Sequence, residues 1–291
     1  MFPASFDYYR AASVEDAVRL MAEHHEAKLI AGGHSLLPMM KLRLAEPLTL
    51  VDIARIAELQ GLRHENGKVY VGALTTHWVL ETSEILEAHC PLLKEAASKI
   101  GDPAVRNKGT IGGNIAHADP ASDLPAVLVA LGATIHLHGL DGHRAVPAEQ
   151  FFLGLLHTDV QPGEILTLIE LPEMHGASGH TGSCYLKFEH PASGYAICGA
   201  AAVVRKNADG TAAEVQLAFN GVTETPYFAQ KVGASLVGAP LDDAVIDQAV
   251  NDGVLIDEPL GDVHASGLYR MELAKVFGKR ALKIARDRAH G

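Results

Sequence analysis

Residues 31–47, AGGHSLLPMMKLRLAEP, place two adjacent glycines between two short apolar runs. Residues 110–126, TIGGNIAHADPASDLPA, contain a second glycine pair far along the chain. Because glycine lacks a Cβ, consecutive backbone N–H groups at such a pair can converge on a bound anion. Either pair alone is better explained as a tight turn. Together, with their polar neighbours, they predict two loops that close over one diphosphate.

The composition is that of an ordinary globular protein, and it argues against several classes of partner. The 291 residues are enough for one large domain or two to three small ones. A net charge of −11 makes nucleic acid and anionic membranes poor partners. No apolar run approaches the roughly 20 residues of a membrane span, and no secretory signal is recognisable. A cytoplasmic location is therefore expected.

The three cysteines, Cys90, Cys184 and Cys198, are far apart in the sequence. This spacing is unlike that of iron–sulfur or structural zinc ligands, and it provides no disulfide framework. We therefore predict no metal site in this chain.

Helix and strand signals alternate in the N-terminal half. Ser13 is expected to cap a helix, with Asp16 in the capping-box position. Strands are predicted at 28–31, 48–53 and 68–76. Pro91 is expected to begin a helix, and 101–121 is predicted to be a long loop that leads to a helix from about Ser122.

The C-terminal half shows strands followed by helices. The strands are predicted within 133–146, as a pair, and at 165–172, 195–206 and 212–222. Three helical stretches follow, the last from about Ser266 to Arg288. The small polar stretch 173–183 is a plausible domain boundary. This order favours an α+β protein over a regular βαβ array.

The two glycine-pair motifs resemble those of a known family. The motifs A-G-G-x-S-L at 31–36 and T-I-G-G-N-x-x-x-x-x-P-x-x-D at 110–123 occur in the family's order. With 6–21, 71–77 and 185–204, they are similar to the FAD-binding medium subunits of the molybdenum hydroxylases. The closest resemblance is to bacterial carbon monoxide dehydrogenase-type enzymes, and the flavin domain of xanthine dehydrogenase is more distant.

The resemblance implies an α+β fold. It consists of a two-lobed FAD-binding domain of the vanillyl-alcohol oxidase/p-cresol methylhydroxylase type and a C-terminal domain with a three-stranded antiparallel sheet and a helical bundle. The implied domains are 1–177, with lobes of about 1–57 and 58–177, and 178–291.

The resemblance also assigns cofactor-binding residues and no catalytic residue. Backbone N–H groups of the first glycine loop are expected to wrap the FAD diphosphate, and those of the second to close over it. The cofactor-binding residues are Ala31, Gly32, Gly33, His34, Ser35, Leu36, Thr110, Ile111, Gly112, Gly113, Asn114, His117, Asp123, Leu166, Lys187 and Tyr195.

Four of these residues keep a second interpretation. Asp123 is expected to accept hydrogen bonds from the ribose or ribitol, but an acid in a first helical turn would look the same. Leu166 is equally typical of a core strand, and Lys187 of a protein surface. Tyr195 is expected near the flavin ring or buried in a strand, and its neighbour Gly194 replaces an acid found in many relatives.

The implied function is that of an electron-transfer subunit. A partner large chain with a molybdenum cofactor would oxidise the substrate, and electrons would pass through [2Fe–2S] clusters on a small chain to FAD. The implied assembly is a dimer of heterotrimers. One alternative is a self-sufficient FAD-dependent reductase of the UDP-N-acetylenolpyruvoylglucosamine reductase type. Another is a binding module that has lost the flavin.

Overall fold

The computed structural model describes residues 2–24, 26–174 and 180–289. The strands are β1 Asp7–Arg10, β2 Ala27–Ile30, β3 Thr49–Asp52, β4 Leu62–Glu65, β5 Lys68–Gly72, β6 Thr134–Gly139, β7 Gly142–Pro147, β8 Phe152–Gly154, β9 His157–Thr158, β10 Ile165–Pro172, β11 Thr181–Glu189, β12 Ala196–Lys206, β13 Ala212–Asn220 and β14 Tyr227–Phe228. The α-helices are α1 Val14–Glu23, α2 Leu36–Lys41, α3 His77–Thr82, α4 Glu84–His89, α5 Pro91–Ser98, α6 Pro103–Lys108, α7 Ile111–His117, α8 Leu124–Ala130, α9 Ala148–Phe151, α10 Gln230–Leu236, α11 Asp243–Gly253 and α12 Gly267–Arg288, and a 3₁₀ helix spans Ala57–Leu59.

The first sheet has the parallel order β1-β3-β2 and carries α1 on one face. Ser13 Oγ caps α1 by accepting from the N–H group of Asp16 at 3.1 Å, as predicted. The Asp16 carboxylate accepts from Ala12 rather than from Ser13, so the capping box is shifted by one residue. The chain leaves β2 directly into the first glycine pair.

The second sheet has the antiparallel order β4-β5-β10-β6-β7. Its buried residues share one hydrophobic core with α5, α7 and α8, and α7 contacts β10 directly. All residues of α8 are buried, which agrees with its apolar sequence. The register of β10 shifts between Leu166 and Leu168. The carbonyl oxygen of Thr167 is therefore free to accept a hydrogen bond from the N–H group of Ala73, at 3.0 Å.

The third sheet has the order β11-β12-β13-β14 and packs against α5 and α8. Alternation along its long strands directs Tyr185, Ala201 and Val203 toward the core around α5 and α8. The residues between them face α12 on the other side. Gly182 permits this close packing, because a Cβ there would collide with the backbone of α12. The three expected long strands are present, and the short β14 adds a fourth strand at the edge beside β13.

Most of the sequence-based elements are confirmed. The main error is 101–121, which forms α6 and α7 rather than a long loop. Asp102 caps α6 and Thr110 caps α7 through their side-chain oxygens, and these two N-cap signals were not used in the prediction. The strand expected at 68–76 ends at Gly72, where a Cβ would collide with the carbonyl of Leu59.

The predicted domain boundary at 177/178 lies outside the described residues, so the division into two domains stays a prediction. No helix in the described parts of the chain is both long and apolar enough to cross a membrane.

Candidate functional site

The first glycine segment presents a run of unused backbone donors. Within the described part of the chain, the N–H groups of residues 32–36 donate to no protein acceptor. Gly33 has the left-handed φ of +72° and Ser35 has right-handed helical dihedrals. Alternating hands of this kind turn successive N–H groups toward a common concavity, which suits an anion. The prediction of an N–H cradle here therefore agrees with the local geometry.

His34 folds back onto its own loop. Its Nδ1 lies 3.0 Å from the carbonyl oxygen of Gly32, and its side chain is exposed. Ala31 packs against the hydrophobic core between α1 and the first sheet, and Leu36 begins α2. The loop is thus anchored at both ends, while its middle is open to solvent.

The two glycine segments meet in space. A Cβ on Gly32 would collide with the carbonyl oxygen of Lys108 and would lie 3.0 Å from the Cα of Gly109. Gly109 in turn packs against the ring of His77, where a Cβ would lie 2.9 Å from Cδ2. Gly109 O also accepts from the backbone N–H of His77 at 3.0 Å. Glycine is required at 32 because the two backbones touch there, and a Cβ at 109 would press on the ring of His77 and the carbonyl oxygen of Val105.

The second glycine pair lies in the first turn of α7, which corrects part of the prediction. The N–H group of Ile111 donates to Thr75 O and that of Gly112 donates to Ala73 O. The N–H group of Asn114 donates to Thr110 O as part of the helix. These three groups are already used within the chain. Only the Gly113 N–H, held by Thr110 Oγ1 at 3.2 Å, has a partner that a ligand could readily displace.

Gly112 and Gly113 therefore have different roles. A Cβ on Gly112 would lie 2.6 Å from the Cβ of Ala73, so this glycine allows α7 to pack on the chain after β5. Gly113 is exposed, and a Cβ there would meet only Thr110 Oγ1, at 2.9 Å. Gly113 is the member of the pair that a ligand can approach.

His117 and Leu166 lie on either side of the contact between α7 and β10. His117 ends α7 and is half-buried. Leu166 is 5% exposed and belongs to the hydrophobic core, so its alternative interpretation as a core strand residue agrees with its burial. Leu166 thus lies on a strand that contacts α7, and its side chain is not exposed.

Asp123 and Lys187 form a buried ion pair between α8 and β11. Lys187 Nζ lies 3.1 Å from Asp123 Oδ2, with 2% and 7% of the two side chains exposed. Lys187 also donates to the carbonyl oxygens of Lys99 and Gly194. Lys187 is therefore no surface lysine. Asp123 occupies the N-cap position of α8 but makes no side-chain bond to that helix.

Tyr185 completes this cluster. Its hydroxyl donates to Asp123 Oδ1 at 2.6 Å and lies 3.1 Å from Asn220 Oδ1. Burial raises the pKa of Asp123 to about 6, although Lys187 and Tyr185 oppose the rise. Burial, and then the nearby Asp123 charge, raise the pKa of Tyr185 well above its ordinary value, so the phenol keeps its proton.

Tyr195 is 54% exposed and directly precedes β12, which excludes the interpretation as a buried strand residue. Burial of its hydroxyl, and then Asp119 and Asp123, raise its pKa. Gly194 has a φ of +70°, a left-handed conformation that a residue with a side chain would adopt only with strain. Its carbonyl oxygen receives a hydrogen bond from Lys187 at 2.8 Å.

Two residues of this site were missed from the sequence. His77 is buried, its Nδ1 has no partner among the described residues, and burial lowers its pKa to about 4. It lies beside the contact of the two glycine segments. Tyr185 could have been found from Lys187, because residues two apart on a strand share a face. No comparable periodicity signals His77.

One group of described side chains could hold a metal ion, and it lies around Glu173, directly after β10. Glu173 lies 2.7 Å from His89 Nδ1 and 3.1 Å from His64 Nε2. The two imidazole rings are stacked, with centroids 3.6 Å apart and planes 11° from parallel. Because lone pairs of parallel rings do not converge on one point, this arrangement suits a carboxylate that joins two N–H donors better than a metal centre.

The cysteines are also unsuited to clusters. Cys90, Cys184 and Cys198 are all buried as free thiols. Burial raises the pKa of each to about 12, which disfavours the thiolate that binds iron.

Two family models together cover nearly the whole chain. Residues 4–174 match the FAD binding domain in molybdopterin dehydrogenase, and residues 183–285 match the CO dehydrogenase flavoprotein C-terminal domain.

Curated relatives and solved structures agree with these matches. The carbon monoxide dehydrogenase medium chain of Hydrogenophaga pseudoflava is 41% identical, and the alignment covers 98% of each chain. Subunit alpha of the 6-hydroxypseudooxynicotine dehydrogenase complex of Paenarthrobacter nicotinovorans is 36% identical, over 99% of this chain and 97% of the relative. A chain of the solved carbon monoxide dehydrogenase from Hydrogenophaga pseudoflava superposes with a TM-score of 0.95, at 42% identity over the full length of both.

Proposed function

The chain belongs to the FAD-binding medium subunits of the molybdenum hydroxylase family, and from this premise we propose that it relays electrons from [2Fe–2S] clusters on a partner chain to an external acceptor. FAD supplies the redox chemistry when it is bound, because it exchanges electrons singly or in pairs. The chain's own residues bind the cofactor, orient it and limit its contact with water.

The free N–H groups of residues 32–36 carry the binding proposal. They form a concave run of donors beside the point where Gly32 contacts Lys108. A diphosphate would satisfy these donors and would lie against Gly113, the accessible glycine of the second pair. The remaining predicted contacts stay proposals: Thr110, Asn114, His117, Asp123, Leu166, Lys187 and Tyr195.

The hairpin of β8 and β9 supports a docking surface for a partner beside the flavin site. Leu153, Leu155 and Leu156 are each about half exposed there, and β9 packs against α7. An exposed apolar cluster of this kind is typical of a protein interface. Electron transfer requires the donor cluster to be near the flavin, and this hairpin adjoins the helix that carries Gly113.

We propose that the partners are a molybdenum-containing large chain and a small chain with [2Fe–2S] clusters, in a dimer of heterotrimers. The substrate then binds to the large chain. The relatives act on carbon monoxide and on a nicotine-derived heterocycle according to their names, so the medium chain does not fix the substrate.

Affinity purification from the native source tests the assembly. The tagged chain is expected to retain FAD and to bring down one molybdenum-containing chain and one iron–sulfur chain. Changing Leu155 to Asp should release both partners, whereas Leu140→Asp, at an exposed leucine in the β6–β7 turn, should not. Recovery of the wild-type chain with FAD but no partner would contradict the relay and leave the binding proposal standing.

A further inference from the structure

We propose that Tyr185 is a positioning residue for Asp123: its hydroxyl holds one carboxylate oxygen, so that Asp123 is the member of the buried pair that accepts a hydrogen bond from the bound flavin. This inference rests on the proposed flavin site, and it identifies the Asp123 carboxylate as the hydrogen-bond acceptor in that site. It also assigns to the sheet that carries Tyr185 a part in building that site.

The hydroxyl of Tyr185 has one proton and two neighbouring acceptors. Asp123 Oδ1 lies at 2.6 Å and Asn220 Oδ1 at 3.1 Å, and the nearer acceptor is charged. The proton is therefore shared with Asp123, since hydrogen bonds to ionised groups are the stronger ones. Gly199 makes room for this bond, because a Cβ there would collide with both the hydroxyl and the Asn220 amide.

Lys187 has no hydrogen left for a ligand. An ammonium group has three N–H donors. In this structure they serve Asp123 Oδ2, Lys99 O and Gly194 O. Lys187 can act on the flavin through its charge, but a direct hydrogen bond would require one of these contacts to break.

Asp123 does have unused capacity. A carboxylate offers about four lone-pair sites, and Tyr185 and Lys187 occupy one on each oxygen. With both oxygens held, the carboxylate cannot rotate about its Cβ–Cγ bond. A hydroxyl of the ribitol or ribose would therefore meet an acceptor of fixed orientation.

The charged surroundings of Asp123 come from several elements. Lys187 and Tyr185 favour its ionised form, and Glu189 on the same strand opposes it. Tyr195, before β12, lies within electrostatic reach of both Asp119 and Asp123. Removal of the Tyr185 hydroxyl takes away one of the two groups that stabilise the carboxylate.

The test compares Tyr185→Phe with Tyr227→Phe in the full chain. Tyr227 lies on the same sheet, and its hydroxyl bonds to Leu255 rather than to Asp123. The titration of the Asp123 carboxyl is followed in flavin-free protein by carbon-13 NMR, with the resonance identified through Asp123→Asn. The midpoint is expected to rise by about one pH unit, a tenfold change in proton affinity, in Tyr185→Phe only. FAD affinity should fall several-fold in the same variant.

A second probe changes the donor strength in the opposite sense. Difluorotyrosine at position 185 is a stronger donor of nearly the same volume, so the Asp123 midpoint should fall. An unchanged midpoint in both Tyr185 proteins would overturn the positioning role, whatever the flavin content. Because this titration needs no flavin, it remains informative if the wild-type chain fails to bind FAD, a result that would instead contradict the proposed function.

Discussion

Gly32 lies against the peptide carbonyl of Lys108, so that the segment after β2 and the segment before α7 touch through their backbones. The first segment follows a strand of the first sheet, whereas the second joins α6 to α7 far along the chain. Their contact brings the free N–H groups of residues 32–36 to the segment that leads into α7, and the first turn of α7 carries the exposed Gly113. The proposed flavin site therefore depends on a packing contact that tolerates no side chain at position 32.

The change Gly32→Val should abolish most FAD retention. The added Cβ would drive the loop away from Lys108, and the cradle would open. We expect at least a tenfold loss of affinity, or about 1.4 kcal/mol. Gly154→Val is the control, because a Cβ there meets no atom within 4 Å and its φ is not left-handed. Absorbance after desalting gives FAD per chain, and equal retention in both variants would refute the contact's role.

Gly113→Ala and Gly112→Ala should separate cofactor binding from folding. Alanine at 113 has space apart from Thr110 Oγ1 and favours the helix, so stability should change by less than about 1 kcal/mol while FAD affinity falls. Alanine at 112 would collide with Ala73, so it should lower the free energy of unfolding. Urea unfolding and FAD titration measure the two effects. Normal FAD binding in a stable Gly113→Ala protein would exclude diphosphate approach at this glycine.

Lys187→Met should destabilise the chain by about 3–5 kcal/mol at pH 8, because it leaves the Asp123 carboxylate buried and unpaired. The double change Lys187→Met/Asp123→Asn should recover most of this loss. The matched control, Lys275→Met, breaks a pair with the exposed Glu272 and should cost less than about 1 kcal/mol.

The effect of Lys187→Met should also depend on pH. The folded-state pKa of Asp123 is raised to about 6, so its protonated form is the one that folding favours. The stability associated with that form is present at low pH and is lost as the pH rises through about 6. Because Lys187 lowers the pKa of Asp123, its removal raises that pKa further, so the variant's carboxyl is protonated at pH values where the wild-type carboxyl is ionised. The penalty of Lys187→Met should therefore shrink from pH 8 to pH 5, where Asp123 is protonated in both proteins. A penalty that stays constant over this range in denaturant titrations would show that Asp123 is not the unpaired charge.

Glu173 should show the opposite pH dependence. Hydrogen bonds from His89 and then His64 lower its pKa, so the ionised carboxylate stabilises the fold above its ordinary pKa. That contribution is lost as the pH falls through the lowered value. Glu173→Gln should therefore melt below the wild type at pH 7, and the difference in Tm should vanish near pH 3. Equal Tm values at pH 7 would mean that the two imidazoles contribute nothing through Glu173.

Much of this fold could be predicted because its signals are local. Apolar segments bounded by Pro172 or by the turn at 208–210 predicted β10, β12 and β13, and the Ser13 and Pro91 signals predicted helix starts. The 110–123 motif was located correctly but its conformation was not. Two N-cap signals were overlooked, and the pairing of the Ile111 and Gly112 N–H groups with Thr75 and Ala73 is a long-range contact.

The residues of the candidate site could be predicted individually, but the hydrogen bonds and ion pairs among them could not. The sequence named Asp123 and Lys187 separately, with no sign that they neutralise each other across 64 positions. Tyr185 was missed because its importance comes from the oxygen that its hydroxyl reaches. His77 was missed because only the folded packing of Gly109 buries it.

A crystal structure of this chain with FAD would show whether residues 32–36 hold the diphosphate. We expect one FAD per chain, with diphosphate oxygens about 2.7–3.2 Å from N–H groups of residues 32–36. The diphosphate should also lie over Gly113, with Gly32 still in contact with Lys108. A diphosphate bound elsewhere, with these N–H groups still facing water, would contradict this expectation.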